Sequence, residues 1–207
     1  MAPIFVIGHL FPRDQGARHK VIEALSDTAR YSRANEPGVT KYAVTVPRTS
    51  SALDIFAFEE YADQAALDAH MASPPVAAII NLFTTQPELL ASPTKVYMLS
   101  AAHEMIRSAV TALSDPTITF SILSNTGSSA PEKWHELVAK AEQRGDGVCM
   151  VLGDKDNAGS GAILVVEVGK SSGLSSDSGI SQLQESHDLK LVEGYWWKRR
   201  DAGAKLA

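Results

Sequence analysis

The 207-residue sequence predicts an α+β fold built from two tandem βαββαβ units. Three observations point to it. Short apolar or alternating runs are separated by segments with helical spacing. The order strand, helix, strand, strand, helix, strand occurs twice. The length suits two units of about 100 residues each.

The elements of the first half follow from local pattern. Ile4 to Phe11 is a short apolar run and reads as a strand. Gly16 to Arg33 reads as a helix, with Val21, Ile22, Leu25 and Ala29 on one stripe. The "NEPG" turn at Asn35 to Gly38 precedes an alternating run from Val39 to Val46. Tyr42, Val44 and Val46 point one way along it and Lys41, Ala43 and Thr45 the other, which predicts a half-buried strand. Leu53 to Glu60 is a second strand, with Phe56 and Phe58 on one face. In "DQAALDAHMASPP" Asp63 can cap a helix that stops at Ser73, and Ser73 can cap a new helix whose first turn holds Pro74 and Pro75. Val76, Ile79, Ile80 and Phe83 continue at helical spacing. His70 sits just before this elbow. Lys95 to Ser100 closes the half as a strand.

The second half repeats the order. Thr117 to Leu123 alternates as a strand. "SSAPEKWHEL" carries a capping box, Ser129 with Glu132, and opens a helix with Trp134, Leu137, Val138 and Ala141 inward. Val148 to Leu152 and Ala162 to Val168 read as strands. Ile180 to Glu185 reads as a short helix after a Gly/Ser loop, and Leu189 to Lys198 as the final strand, carrying Tyr195, Trp196 and Trp197. Gly38-Val39 in the first half corresponds to Gly147-Val148 in the second, a faint internal duplication.

Each βαββαβ unit makes a four-stranded antiparallel sheet with its helices on one face, which leaves the other face bare. A second unit in the same chain can cover that face, sheet to sheet, so the chain is expected to imitate a homodimer of half-length subunits. The boundaries are residues 1–100 for the first domain and 117–207 for a diverged second, joined by a linker over 101–116 with a helical pattern in "HEMIRSAVTAL".

Composition excludes several classes. Hydrophobic residues make up 44% and charged residues 21%, and the formal net charge is -5. Such a chain lacks the basic footprint of a nucleic-acid binder. Pro3 and Pro12 and the missing basic flank argue against a signal peptide or membrane span at the N-terminus. Cys149, the single cysteine, sits in an apolar run and reads as a structural thiol. A cytoplasmic protein is expected. The histidines at 9, 19, 70, 103, 135 and 187 form no HxH or HExxH pattern, so no metal site is signalled. No dinucleotide or phosphate-loop signature is present, and no cofactor is expected.

Residues 36–75 resemble the antibiotic biosynthesis monooxygenase (ABM) domain. The resemblance rests on Pro37 and Gly38 in a turn, Tyr42 on an alternating strand, Glu59 at a strand end, then Ala65, Ala66, Leu67 and His70, and the Ser73-Pro74 break. The family often has a Trp after that Glu; this chain has Tyr61 near the position instead. The resemblance implies a dimeric α/β barrel of ferredoxin-like units. It also implies oxidation of a small hydrophobic aromatic or polyketide-like secondary metabolite by dioxygen, with no metal, flavin or haem. Other members are quinol oxygenases or haem degraders. A non-catalytic small-molecule-binding or stress-related protein on the same scaffold is the alternative, and haem degradation a further one.

Oxygenation of this kind asks a protein to bind an apolar ring, take a proton, stabilise an anion and exclude water. His70 is the expected base, because an imidazole titrates near neutrality; a cap or packing residue is the other reading. Tyr42 can hold a substrate oxygen or serve only as core. His9, Phe11, Phe56, Phe58 and Met71 are expected to line the substrate pocket. Trp134, Tyr195 and Trp197 would serve a second pocket or seal the halves together. The partners are thus a small hydrophobic substrate and dioxygen, with further association of full chains left open.

Overall fold

A computed structural model describes residues 3–49, 51–106, 117–123, 148–154, 163–169 and 183–195. Strand β1 (Ile4–Leu10) leads into helix α1 (Gln15–Asn35), then strands β2 (Val39–Pro47) and β3 (Ile55–Tyr61), helices α2 (Gln64–Met71) and α3 (Pro74–Thr85), and strand β4 (Lys95–Ile106). Strands β5 (Thr117–Leu123), β6 (Val148–Asp154), β7 (Ile163–Gly169) and β8 (Leu183–Tyr195) follow. The helix expected after Ser129, with Glu132 and Trp134, lies outside the described residues, as do Trp196, Trp197 and the side chain of Cys149.

Local chemistry fixes the helix starts. The Asp14 carboxylate accepts the Ala17 N–H at 2.8 Å and begins α1. Asp63 does the same for α2, accepting from Ala66 at 2.9 Å. Ser73 stands at the cap of α3, but its hydroxyl makes no capping bond. Pro75 offers no N–H at the second helical position, which removes one of the two donors a cap would use.

The eight strands among the described residues are antiparallel and close into one barrel, in the order β1-β3-β2-β8-β5-β7-β6-β4 and back to β1. The two sheets expected to face one another are arcs of this barrel. They are hydrogen-bonded at two seams, β2 to β8 and β4 to β6. The arc β4-β1-β3-β2 and the arc β8-β5-β7-β6 have the same internal order.

Closure explains the burial of β2. The expectation was a half-buried strand, yet nearly every residue of Val39–Pro47 is buried. One face carries Tyr42, Val44 and Val46, which pack with Val21, Leu25 and Ala29 of α1. Helix α1 therefore roofs the outer side. The other face carries Lys41, Ala43 and Thr45, paired in register with Glu60, Phe58 and Phe56 on the barrel's inner side. Lys41 is 4% exposed and is held by the Glu60 carboxylate. Interiors of eight-stranded barrels are filled by side chains in this way.

Two sequence expectations change. Residues 101–106 continue β4 as strand where a helical linker was expected; 107–116 lie outside the described residues. The helix expected over Ile180 to Glu185 gives way from Leu183 onward to β8, which must be long because it pairs with both β5 and β2.

Candidate active site beneath the helices

A buried polar cluster lies between the sheet and its helices. It starts from strand alternation. Tyr42 on β2 stands opposite Glu59 on β3, and Tyr61 follows two residues later on the same face. The hydroxyls of Tyr61 and Tyr42 both donate to the Glu59 carboxylate. Glu59 is partly exposed, whereas both tyrosines are buried.

His70 enters from above. It lies in the last turn of α2, where the break before Pro74 ends the helix. Its Nδ1 is 2.8 Å from Glu36 Oε2 and 3.4 Å from Ser32 Oγ, both at the C-terminal end of α1. A carboxylate only accepts, so Nδ1 carries the proton and Nε2 is left for proton exchange in the neutral ring. The ring centroid lies 5.3 Å from that of Tyr61 and 5.7 Å from that of Tyr42. From the other half of the barrel, Tyr195 on β8 stands opposite Tyr42 and donates to the Val39 carbonyl at 3.2 Å. Arg30 on α1 holds Glu193 of β8 at 2.8 Å, which ties this strand to the roof.

The electrostatics follow from this packing. Burial pushes the Glu59 carboxyl above the ordinary carboxylate range, against the opposing pull of His70 and the two tyrosine hydroxyls; the Glu36 charge adds to the rise. Burial and then the Glu59 charge push the Tyr42 and Tyr61 phenols up, so both remain neutral donors at neutral pH. A carboxyl able to hold a proton, two phenolic donors and an imidazole bridged to a second carboxylate can together take up a proton and stabilise a nascent oxyanion.

The expected site residues divide between the two sides of the sheet. His70 and Tyr42 meet in the cluster under the helices. His9, Phe11, Phe56 and Phe58 line the barrel interior instead, with Phe120 and His187 of the second half. Met71 is 52% exposed and joins neither group. The surroundings of His70 form a hydrogen-bonded polar network. Sequence reasoning gave no chemical role to Glu36, Ser32, Glu59 or Tyr61. Period-two spacing from Tyr61 to Glu59 was the available signal; the approach of Glu36 to His70 has none, because it depends on how α2 crosses α1.

Comparison with known proteins agrees with this architecture. Residues 3–82 match the family model described as antibiotic biosynthesis monooxygenase. This match lies within the N-terminal half of the chain. Over nearly its whole length it is similar in structure to a candidate monooxygenase from Lactobacillus acidophilus. The TM-score is 0.67 at 14% identity, over 93% of this chain and 94% of that one. A candidate monooxygenase from Fusobacterium nucleatum gives a TM-score of 0.69 at 12% identity, covering 92% and 91%. A protein described as anthrone oxidase-like gives 0.62 at 13% identity, covering 100% and 98%. These likenesses show the fold. No curated protein matches the chain.

Proposed function

We propose that the protein is a cofactor-independent monooxygenase that oxidises a small hydrophobic aromatic or polyketide-like metabolite with dioxygen, at the cluster beneath the first half's helices. The observation that carries this reading is the carboxyl of Glu59, held by two buried tyrosine hydroxyls under His70 in the segment matching the ABM model. His70 takes a proton from an acidic ring-flanked methylene or phenol. The hydroxyls of Tyr42 and Tyr61 steady the resulting anion. The anion passes one electron to dioxygen, recombination forms a carbon–oxygen bond, and the resulting peroxide takes back the proton held on His70 to become a hydroperoxide. Loss of water leaves a carbonyl: one oxygen atom stays in the product and the other leaves in water.

The fold reading that goes with it is a tandem pair of ferredoxin-like units forming an intrachain pseudo-dimer. It is supported by the shared order of the two arcs and by the two strand seams. A cytoplasmic place in secondary metabolism accompanies this reading. No helix among the described residues is long and apolar enough to cross a membrane.

Oxygen uptake with anthrone as probe tests the function. Uptake that persists with a chelator and falls about 100-fold in His70→Ala is the expected result, the usual scale for loss of a general base. Saturable binding without uptake would assign a binding module, and a Soret band on adding haem would assign haem chemistry; either result overturns the proposal.

A further inference from the structure

The barrel interior holds a second group of ionisable and aromatic side chains, separated from the cluster above by the thickness of the sheet. We propose that this end of the barrel is a second ligand site, taking a small planar molecule with an acidic hydroxyl, a phenol or enol, whose proton His9 Nδ1 accepts.

His9 is the polar centre of the group. Its side chain lies at the end of β1, is 2% exposed, and places Nε2 2.6 Å from the Asp54 carboxylate. The carboxylate only accepts, so Nε2 carries the proton and Nδ1 presents a lone pair. That Nδ1 is buried and has no partner among the described residues. A buried polar atom left unpaired is costly and rare in native proteins. The arrangement of carboxylate, oriented imidazole and unpaired ring nitrogen is the one that makes a histidine a proton acceptor.

The surroundings define the ligand. His9 stacks on Phe56 with centroids 4.1 Å apart and lies against Phe11 at 4.1 Å. His187 of β8 is 5.7 Å from His9 and 4.8 Å from Phe56, and Phe120 of β5 is 5.5 Å from Phe56. Flat, apolar rings from both arcs suit a planar guest. Phe11, Asp54 and His187 keep partial exposure and Lys95 is exposed, which places the group at the barrel's rim. Burial holds the His9 imidazole below its ordinary range despite Asp54, and His187 and Lys95 lower it further. The ring is therefore neutral and able to accept at neutral pH. Lys95 and the newly formed imidazolium then favour the guest as an anion, and Asp54 steadies the imidazolium.

The test titrates 4-nitrophenol, whose visible absorption reports its ionisation, into the full-length protein. The expected result is saturable binding with the guest bound as phenolate. His9→Phe weakens it at least ~10-fold, as loss of a charge-assisted bond implies. Asp54→Asn lowers both affinity and the ionised fraction; it lies at the rim and carries the test if His9→Phe fails to fold. The binding that remains in His70→Ala is the component that a further His9→Phe removes, which separates this site from the one under the helices. In the His70→Ala background, binding that ignores both His9→Phe and Asp54→Asn, or no saturable binding by the folded protein, would each overturn the proposal.

Discussion

Glu59 sits at the centre of the polar cluster, bonded by the hydroxyls of Tyr42 and Tyr61. Its folded-state pKa is raised, chiefly by burial. A group shifted in this direction supports stability below its unfolded pKa, about 4.3 for a glutamate, and loses that support as pH rises through the folded value. Glu59→Gln keeps an acceptor for both tyrosines and removes the charge. Thermal melts from about pH 4 to about pH 7 should show the variant gaining on the wild type as pH rises. Its oxygen uptake should fall on the order of 10-fold or more. A variant whose relative stability shrinks over that range would contradict the burial argument. Much of this site was hidden from sequence reasoning. Sequence reasoning singled out His70, a histidine at a broken helix, and Tyr42, on an alternating strand, and their rings are neighbours in this cluster. The bond between His70 and Glu36 was not legible, since its partners are 34 positions apart and meet only through packing.

Among the elements, α1, β1, β2, β3, α2 and α3 were legible because hydrophobic period and caps agree there. Helix α1 buries Val21, Leu25 and Ala29 at the spacing the stripe predicts. The misreadings fall where pairing overrides propensity. Ala101, Ala102, Glu104 and Met105 favour helix, yet 101–106 is strand because this stretch pairs with β6. The same holds at Leu183 to Glu185 in β8. Two glycines mark close approaches that constrain element packing. Gly194 has φ of 111°, and a Cβ there would lie 2.1 Å from the Tyr42 carbonyl oxygen. Gly38 would place a Cβ 2.6 Å from the Ala66 Cβ, where α2 meets the turn before β2. Chemical denaturation should show Gly38→Ala losing about 1–3 kcal/mol by overpacking. Gly194→Ala should lose more, because backbone strain adds to the clash. Wild-type stability in Gly194→Ala would mean that the β2–β8 seam is looser than described.

For the whole molecule, the decisive feature is closure. Neither arc has free edges once β2 meets β8 and β4 meets β6. Unpaired strand edges recruit partners. A fragment ending after Ile106 would expose the edges of β2 and β4, and sedimentation should find it dimeric; a stable monomer would argue against the pseudo-dimer reading. Closure also places β8, with Tyr195 and Glu193, against α1, so the second half completes the wall of the first half's site. On the proposed reading, this enclosed cluster inserts one atom of dioxygen into an activated carbon. The most direct measurement is mass spectrometry of the product after reaction of anthrone under isotopically heavy dioxygen, quenched quickly to limit exchange with water. A single heavy oxygen in the new carbonyl, abolished in His70→Ala, is the predicted result; a product carrying only solvent oxygen, or no product at all, would contradict it.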